Sequence, residues 1–144
     1  MNPEALQAVA LAVAAERSVD RVLTQIVQGL VTQPAVALAR VWLIGPGDIC
    51  QTCPMRAECP DQTRCLHLLA SAGTPSNQRE DWSRLDGAFR RFPLGVRKIG
   101  RIGATGEGIL IEDLERDHDW IARPDLRVPK ILITSFPEIL ITCR

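Results

Sequence analysis

Residues 37–72 read ALARVWLIGPGDICQTCPMRAECPDQTRCLHLLASA. Ala37 to Ile44 is an apolar, strand-like run, and Gly45-Pro46-Gly47 stops it. Leu66 to Ala72 is a second such run, ended by Gly73-Thr74-Pro75. Between them stand Cys50, Cys53, Cys59 and Cys65, in the pattern C-x2-C-x5-C-x5-C. Two runs of this kind around one polar connection predict an antiparallel pair of strands, with the cysteines in the hairpin loop that joins them.

On the N-terminal side, Asn2-Pro3 has the character of an N-cap followed by a first helical position. Leu6, Val9, Ala10 and Val13 then recur at helical spacing, and Leu23, Ile26, Val27 and Leu30 continue the apolar face. Ser18, followed by Asp20 in a first turn, predicts either a break in one long helix or the start of a second. Gln33-Pro34 ends the stretch.

On the C-terminal side, residues 75–93 are polar and irregular, with Trp82 and Phe89 expected to pack inward. Arg90, Arg91, Arg97, Lys98 and Arg101 form a basic stretch through which Phe92, Leu94 and Val96 alternate, the pattern of an edge strand or exposed face. Val96 to Thr105 carries Ile99, Ile102 and Gly103 at helical spacing, with Gly106 as C-cap. Ile109 to Ile111 is a short strand, and Glu112 to Pro124 an acidic loop with a helical turn. The tail repeats itself: Ile131-Leu-Ile-Thr134 and Ile139-Leu-Ile-Thr142 flank Ser135-Phe-Pro-Glu138. Two β-branched runs around a short link predict a hairpin, buried within the sheet because such runs aggregate when left unpaired.

The chain has 144 residues, enough for one domain with one core. Seventeen Lys and Arg balance seventeen Asp and Glu, so the formal net charge is zero. That balance gives neither an electrostatic footprint for nucleic acid nor a polybasic membrane anchor. The start, Met1-Asn2-Pro3-Glu4, lacks the positive n-region of a secretory signal, and no apolar run reaches the ~20 residues needed to span a bilayer. The expectation is a cytoplasmic protein whose thiols stay reduced.

In that setting the four clustered cysteines point to metal ligation ahead of disulfides or unligated thiols; the fifth, Cys143, lies far along the chain. A tetrahedral ion needs four ligands converging on one point, and C-x2-C lets two sulfurs wrap it. Cys59 and Cys65 must fold back to complete the set. Zinc and an iron–sulfur cluster both suit four thiolates, although the spacing is neither that of a zinc ribbon nor that of the common ferredoxins. The polar loop has little core of its own, so a structural zinc would supply ordering energy on the order of 10 kcal/mol. Arg56 and Arg64 partly offset the net negative charge of a four-thiolate zinc site, and Glu58 and Asp61 oppose them. His67, two residues past Cys65, is an alternative ligand whose ordinary reading is an exposed strand residue.

Other constellations read blandly. Gly100, Gly103, Gly106 and Gly108 are glycine-rich, but Lys98 precedes them where a phosphate loop places its lysine after. Glu112, Asp113, Glu115, Asp117 and Asp119, with His118, lack the order of a calcium loop and read as solvated. Trp42 and Trp120 suit core packing before a ligand pocket. No nucleophile–base pattern supports catalysis, and no catalytic residue is assigned.

Taken in order, several segments resemble a GAF domain. Ser18-Val-Asp-Arg-Val-Leu-Thr-Gln-Ile-Val27 is similar to its opening helix. Phe92-Pro-Leu-Gly95, Lys98-Ile-Gly-Arg-Ile-Gly-Ala-Thr-Gly106 and Ile109-Leu-Ile-Glu-Asp113 resemble its middle, and Trp120-Ile-Ala-Arg-Pro-Asp125 the loop beyond. The match covers roughly residues 5–127. The cysteine hairpin resembles one found in a subset of bacterial sensor kinases and enhancer-binding transcription activators.

The resemblance implies an α+β fold: a central antiparallel sheet of five or six strands with helices packed on one face. It implies one domain over residues 1–144, with 45–66 a cysteine-rich insert and 128–144 an atypical end whose repeats stand in for the usual last strands. The function it implies is sensory or regulatory and non-catalytic, with Cys50, Cys53, Cys59 and Cys65 holding zinc or an iron–sulfur cluster and the small-molecule ligand unidentified. It further implies a homodimer through the N-terminal helix, and output through a kinase or transcription-activator domain or protein. Two other readings stand beside it. One is an interaction or dimerisation module stabilised by zinc. The other is a thiol-dependent methionine sulfoxide reductase, since some GAF proteins reduce that substrate through reactive cysteines.

Overall fold

The two apolar runs that flank the cysteines form β1 (Leu38–Pro46) and β2 (Arg64–Gly73), paired antiparallel from Leu38 opposite Gly73 to Pro46 opposite Arg64. The structure is a computed structural model and describes residues 2–34, 36–74, 81–111, 131–136 and 139–143. The pairing slips between Val41 and Trp42, which leaves Leu69 as the extra residue on β2. Such a bulge increases local twist and re-aims the side chains on either side of it.

Alternation along the strands gives the sheet two apolar faces. On one, Ala39, Val41, Ala70 and Ala72 pack against Leu23 and Val27. Those two residues belong to α2 (Val19–Val31), which follows α1 (Pro3–Ala15). Three of the four sheet residues are alanines, so the helix can lie close. Burying a side chain such as Val27 stabilises by about 1.5–3 kcal/mol. The expected break near Ser18 is real and yields two helices in tandem. Asn2 caps α1 through its side chain, which accepts from the Glu4 N–H at 3.0 Å. Ser18 precedes α2 without a side-chain cap bond, and the Glu16 carboxylate instead accepts from the backbone N–H groups of Arg17 and Ser18. α1 packs on α2 where Gly29 leaves room for Val9, since a Cβ there would lie 2.1 Å from Val9 Cγ2.

On the opposite face, Trp42, Leu66 and Leu68 form the second core with Met55, Phe92 and Ile102. Phe92 belongs to β3 (Arg91–Pro93), an edge strand paired with Cys65–His67 of β2. It meets Trp42 edge-on, ring centroids 6.3 Å apart. Ile102 comes from α3 (Arg97–Thr105), so α3 covers this side while α2, with α1 stacked on it, covers the other, which puts helices on both faces. Gly106 ends α3 in the left-handed conformation, φ 75°, with its N–H bonded to the Ile102 carbonyl. Trp82 is buried and Phe89 packs at the core's margin, as their positions in sequence suggest.

The repeated tail forms a hairpin of β5 (Ile131–Phe136) and β6 (Ile139–Cys143), Phe136 opposite Ile139. β5 pairs with β4 (Ile109–Ile111) and β6 with β1. The six described strands thus run β3-β2-β1-β6-β5-β4, every pair antiparallel. The terminal runs take the sheet positions expected of them. The acidic stretch from Glu112, with His118 and Trp120, lies outside the described residues. Among those described, no helix is long and apolar enough to cross a membrane.

Candidate metal centre

The hairpin loop is built from short turns. Its neck closes where the Gly47 N–H donates to the Thr63 carbonyl at 2.8 Å. Within it, Thr52 N–H bonds Ile49, Arg56 N–H bonds Cys53, Glu58 N–H bonds Met55 and Cys59 N–H bonds Arg56. The Asp61 carboxylate accepts from the Thr63 N–H at 2.9 Å, and Gln62 between them takes φ 57°.

Three further ties hold the loop to the body. Arg91 of β3 donates two parallel bonds to Asp48, at 2.8 and 2.7 Å. Arg97, first residue of α3, donates two to Glu58, at 3.2 and 2.7 Å, from a left-handed backbone (φ 49°) that a non-glycine residue rarely adopts. Met55 drops into the core with Trp42 and Leu66 and is only 2% exposed. The expectation of a loop with little core of its own is corrected here. A polar composition conceals one buried methionine, with Cys53 packed beside it.

All four cysteines are free thiols, and all four line a single cavity of about 20 Å³ beneath the loop, with Arg91 and Pro93 on its wall. That space suits one water-sized occupant. The Cys50 thiol donates to the Gln62 carbonyl at 3.1 Å, and the Cys65 thiol faces the Pro46 carbonyl at 3.9 Å. Burial pushes the Cys65 thiol up to about 11, helped by the charge of Asp48 and of Cys50 and Cys53 and opposed by Arg91. At neutral pH it is protonated, and a bound cation would have to displace that proton. The Arg91 guanidinium holds the Asp48 carboxyl well below the usual carboxylate range.

The four sulfurs share a cavity without closing to the ~3.8 Å separations of a tetrahedral thiolate site. The tightest set of donor atoms among the described residues is Asp48, Cys65 and His67, all within 4.8 Å of one another. His67 Nε2 lies 2.8 Å from the Pro46 carbonyl and 3.9 Å from Asp48. Asp48 carries no signal in the sequence, and His67 reads there as an exposed strand residue with ligation as the alternative. The available signal was the strand period of two, which puts Cys65 and His67 on one face beside Arg91 and Pro93 of the neighbouring strand.

Two glycines shape the floor. A Cβ at Gly47 would lie 2.6 Å from Cys50 Sγ, and one at Gly45 would lie 2.9 Å from His67 Nε2. Side chains at 45 or 47 would fill the space in which these donors sit. Soft sulfur donors around a compact cavity suit a borderline-soft tetrahedral cation, and the imidazole of His67 lies near Cys65 without lining that cavity.

No protein-family model matches the chain, and no curated protein does. Solved structures do. The GAF domain of a phosphoenolpyruvate-protein phosphotransferase from Coxiella burnetii superposes with a TM-score of 0.63 at 17% identity, covering 97% of this chain and 74% of that one. The GAF domain of the Acinetobacter phosphoenolpyruvate-protein phosphotransferase gives 0.60 at 12% identity, covering 98% and 75%. A putative GAF sensor protein from Burkholderia vietnamiensis gives 0.60 at 13% identity, covering 96% and 73%. With two helices on one side of a six-stranded antiparallel sheet and one on the other, the described chain has the fold of a GAF domain.

Proposed function

We propose that this chain is a non-catalytic regulatory domain of bacterial signal transduction whose cysteine loop is ordered by one zinc ion. The observation that supports the reading is that Cys50, Cys53, Cys59 and Cys65 all line one cavity of about 20 Å³. Four thiols around one compact cavity suit a single tetrahedral zinc ion. Reduced thiols in the cytoplasm supply the donors, and the bound ion supplies a charge that keeps them deprotonated. Zinc here acts as a crosslink, so the domain works through its surfaces.

The loop it orders is tied to α3 through Glu58 and Arg97 and to the core through Met55. Loss of the ion would loosen both ties. Leu6 and Leu11 on α1 are more than half exposed, which suits a homodimer through the N-terminal helices and output to a kinase or transcription-activator partner. The reductase reading is disfavoured at Cys65, because a buried thiol held at about 11 is a poor attacking group.

Elemental analysis and a visible spectrum of protein purified without air test the proposal. One zinc per chain and no visible band are expected. Iron with acid-labile sulfide, or no metal at all, would overturn it.

A further inference from the structure

We propose that the turn from Met55 to Glu58 is a latch on α3. While the turn is seated, Glu58 holds Arg97 in a left-handed conformation on which the first turn of α3 depends. When the loop lifts, Arg97 relaxes and that turn unwinds. The latch does not depend on what fills the cysteine cavity.

Two residues in the reversal from β3 into α3 are left-handed, Gly95 at φ 78° and Arg97 at φ 49°. Glycine takes that conformation freely, whereas a side chain crowds the following carbonyl. Arginine has no short polar group to offset the crowding with a local bond. Here the offset comes from Glu58, 39 positions back, which accepts two bonds from Arg97 at 3.2 and 2.7 Å. The two side chains are 31% and 43% exposed, and an ion pair that open to solvent contributes only modestly. Strain and pairing are therefore of similar size and opposite sign, so a small change in the loop decides between them.

The helix has little reserve of its own. α3 spans nine residues, Gly100 and Gly103 among them, and helices shorter than ~12 residues are marginal by themselves. Its far end is secured by the buried Ile102 and by the Gly106 N–H, which donates to the Ile102 carbonyl at 2.8 Å. Its near end rests on the Gly100 N–H, which donates to the Val96 carbonyl at 3.0 Å. That bond spans Arg97, so rotating Arg97 to an ordinary helical φ of about −60° breaks it. Arg101 Nε, which donates to the Arg97 carbonyl at 3.3 Å, is released with it.

The loop end of the latch is equally defined. The Glu58 N–H donates to the Met55 carbonyl at 3.1 Å, so one turn holds both the ion pair and the buried methionine. Met55 shares its core cluster with Ile102 of α3. Lifting the turn thus withdraws Met55 from the core as it frees Arg97. Order in the loop is transmitted to the start of α3, and by linkage order in α3 is transmitted to the loop.

Amide hydrogen exchange of the intact chain, resolved by NMR, reads both ends. Glu58→Ala should speed exchange at Cys59, whose N–H is bonded to the Arg56 carbonyl, and at Gly100, each roughly fivefold. Arg97→Gly also removes the ion pair but takes the left-handed conformation without strain. It should speed Cys59 and leave Gly100 within about twofold of wild type. Gly106 should exchange as in wild type in both variants, which shows that the domain is folded. An unchanged Gly100 in Glu58→Ala would overturn the latch. Equal acceleration of Gly100 in both variants would do so too, since Arg97 would then hold no strain for the loop to release. A Gly106 that loses protection together with Gly100 would also overturn it, because the whole helix rather than its first turn would depend on the pair.

Discussion

Replacing Gly100 by alanine should destabilise the protein, although helix propensity alone predicts the opposite. Gly100 lies inside α3, where alanine is worth about 1 kcal/mol over glycine. The added Cβ, however, would stand 2.1 Å from the Pro93 carbonyl oxygen and 3.3 Å from the Gly95 nitrogen. Both are backbone atoms. Pro93 is fixed by pairing with Cys65, and the Gly95 N–H is bonded to the Gly100 carbonyl at 2.7 Å. Relief requires α3 to move about 1 Å from β3, and overpacking of this kind costs about 1–3 kcal/mol or more. Set against the propensity gain, this leaves a net destabilisation of up to about 2 kcal/mol, toward the upper end because the clashing atoms are backbone. With a urea slope of ~1–2 kcal/mol/M, the unfolding midpoint should fall by roughly 1 M.

Gly103→Ala is the control. It shares the helix and the propensity gain, but its Cβ would meet only methyl groups of Leu66 and Leu94, at 3.0–3.1 Å. Those side chains can give way, so its midpoint should stay within ~0.5 M of wild type. Because α3 holds Glu58 through Arg97, Gly100→Ala should also weaken retention of the ion proposed for the loop. Urea titrations followed by tryptophan fluorescence decide the matter. A Gly100→Ala protein as stable as wild type, or equal shifts for the two variants, would show that α3 does not pack on β3 in this way.

Asp48→Asn should cost at most about 1 kcal/mol at neutral pH, because the Asp48 side chain is 40% exposed and solvent screens its pairing with Arg91. The carboxyl is depressed in the folded state, so its contribution is fully present above the ordinary value of 3.8 and is lost as pH falls below it. Urea titrations with chelator present should show the wild-type advantage shrinking from about pH 4 downward. Alkylation followed by peptide mass mapping of the chelated protein should label Cys65 last of the four loop thiols, with its rate rising as pH approaches 11. Equal labelling of all four in mildly alkaline buffer would contradict its burial. On the homodimer proposed above, joint replacement of Leu6 and Leu11 by glutamate should leave helical content intact but raise its dissociation constant roughly tenfold or more, read by light scattering across concentrations, and a wild-type chain that stays monomeric would refute that proposal.

Elements whose signals are local were legible in the chain. The Asn2 cap, the stop at Gly45-Pro46-Gly47, the Gly106 cap and the twin Ile-Leu-Ile-Thr runs each announce themselves within a few residues, and the structure places a helix start, a strand end, a helix end and a hairpin there. The site was legible only as far as the sulfurs. Arg91 reaches Asp48 across 43 positions and Arg97 reaches Glu58 across 39, and neither pair has a periodicity to betray it. A strand of three residues, β3, is too short to show alternation, yet it supplies the arginine that pins the loop. Met55 looked like one apolar residue in a polar stretch. Its burial depends on where the edge of a distant core ends up. Arg97 in a left-handed conformation runs against residue preference and is held by its tie to a glutamate far along the chain.

The order of the strands has a consequence for how the protein is made. Of the six described strands β6 leaves the ribosome last, yet it sits against β1, the first to appear. A nascent chain synthesised only as far as β4 can pair β1 with β2 and cover one side with α1 and α2. The far margin of β1, from Ala39 to Leu43, then stays open until Ile139 to Cys143 arrive. An unsatisfied margin of that kind recruits any neighbouring strand, including one from a second nascent chain. Folding of this domain is therefore exposed to translation speed and chaperone supply, and clipping its last hairpin should send the product into inclusion bodies.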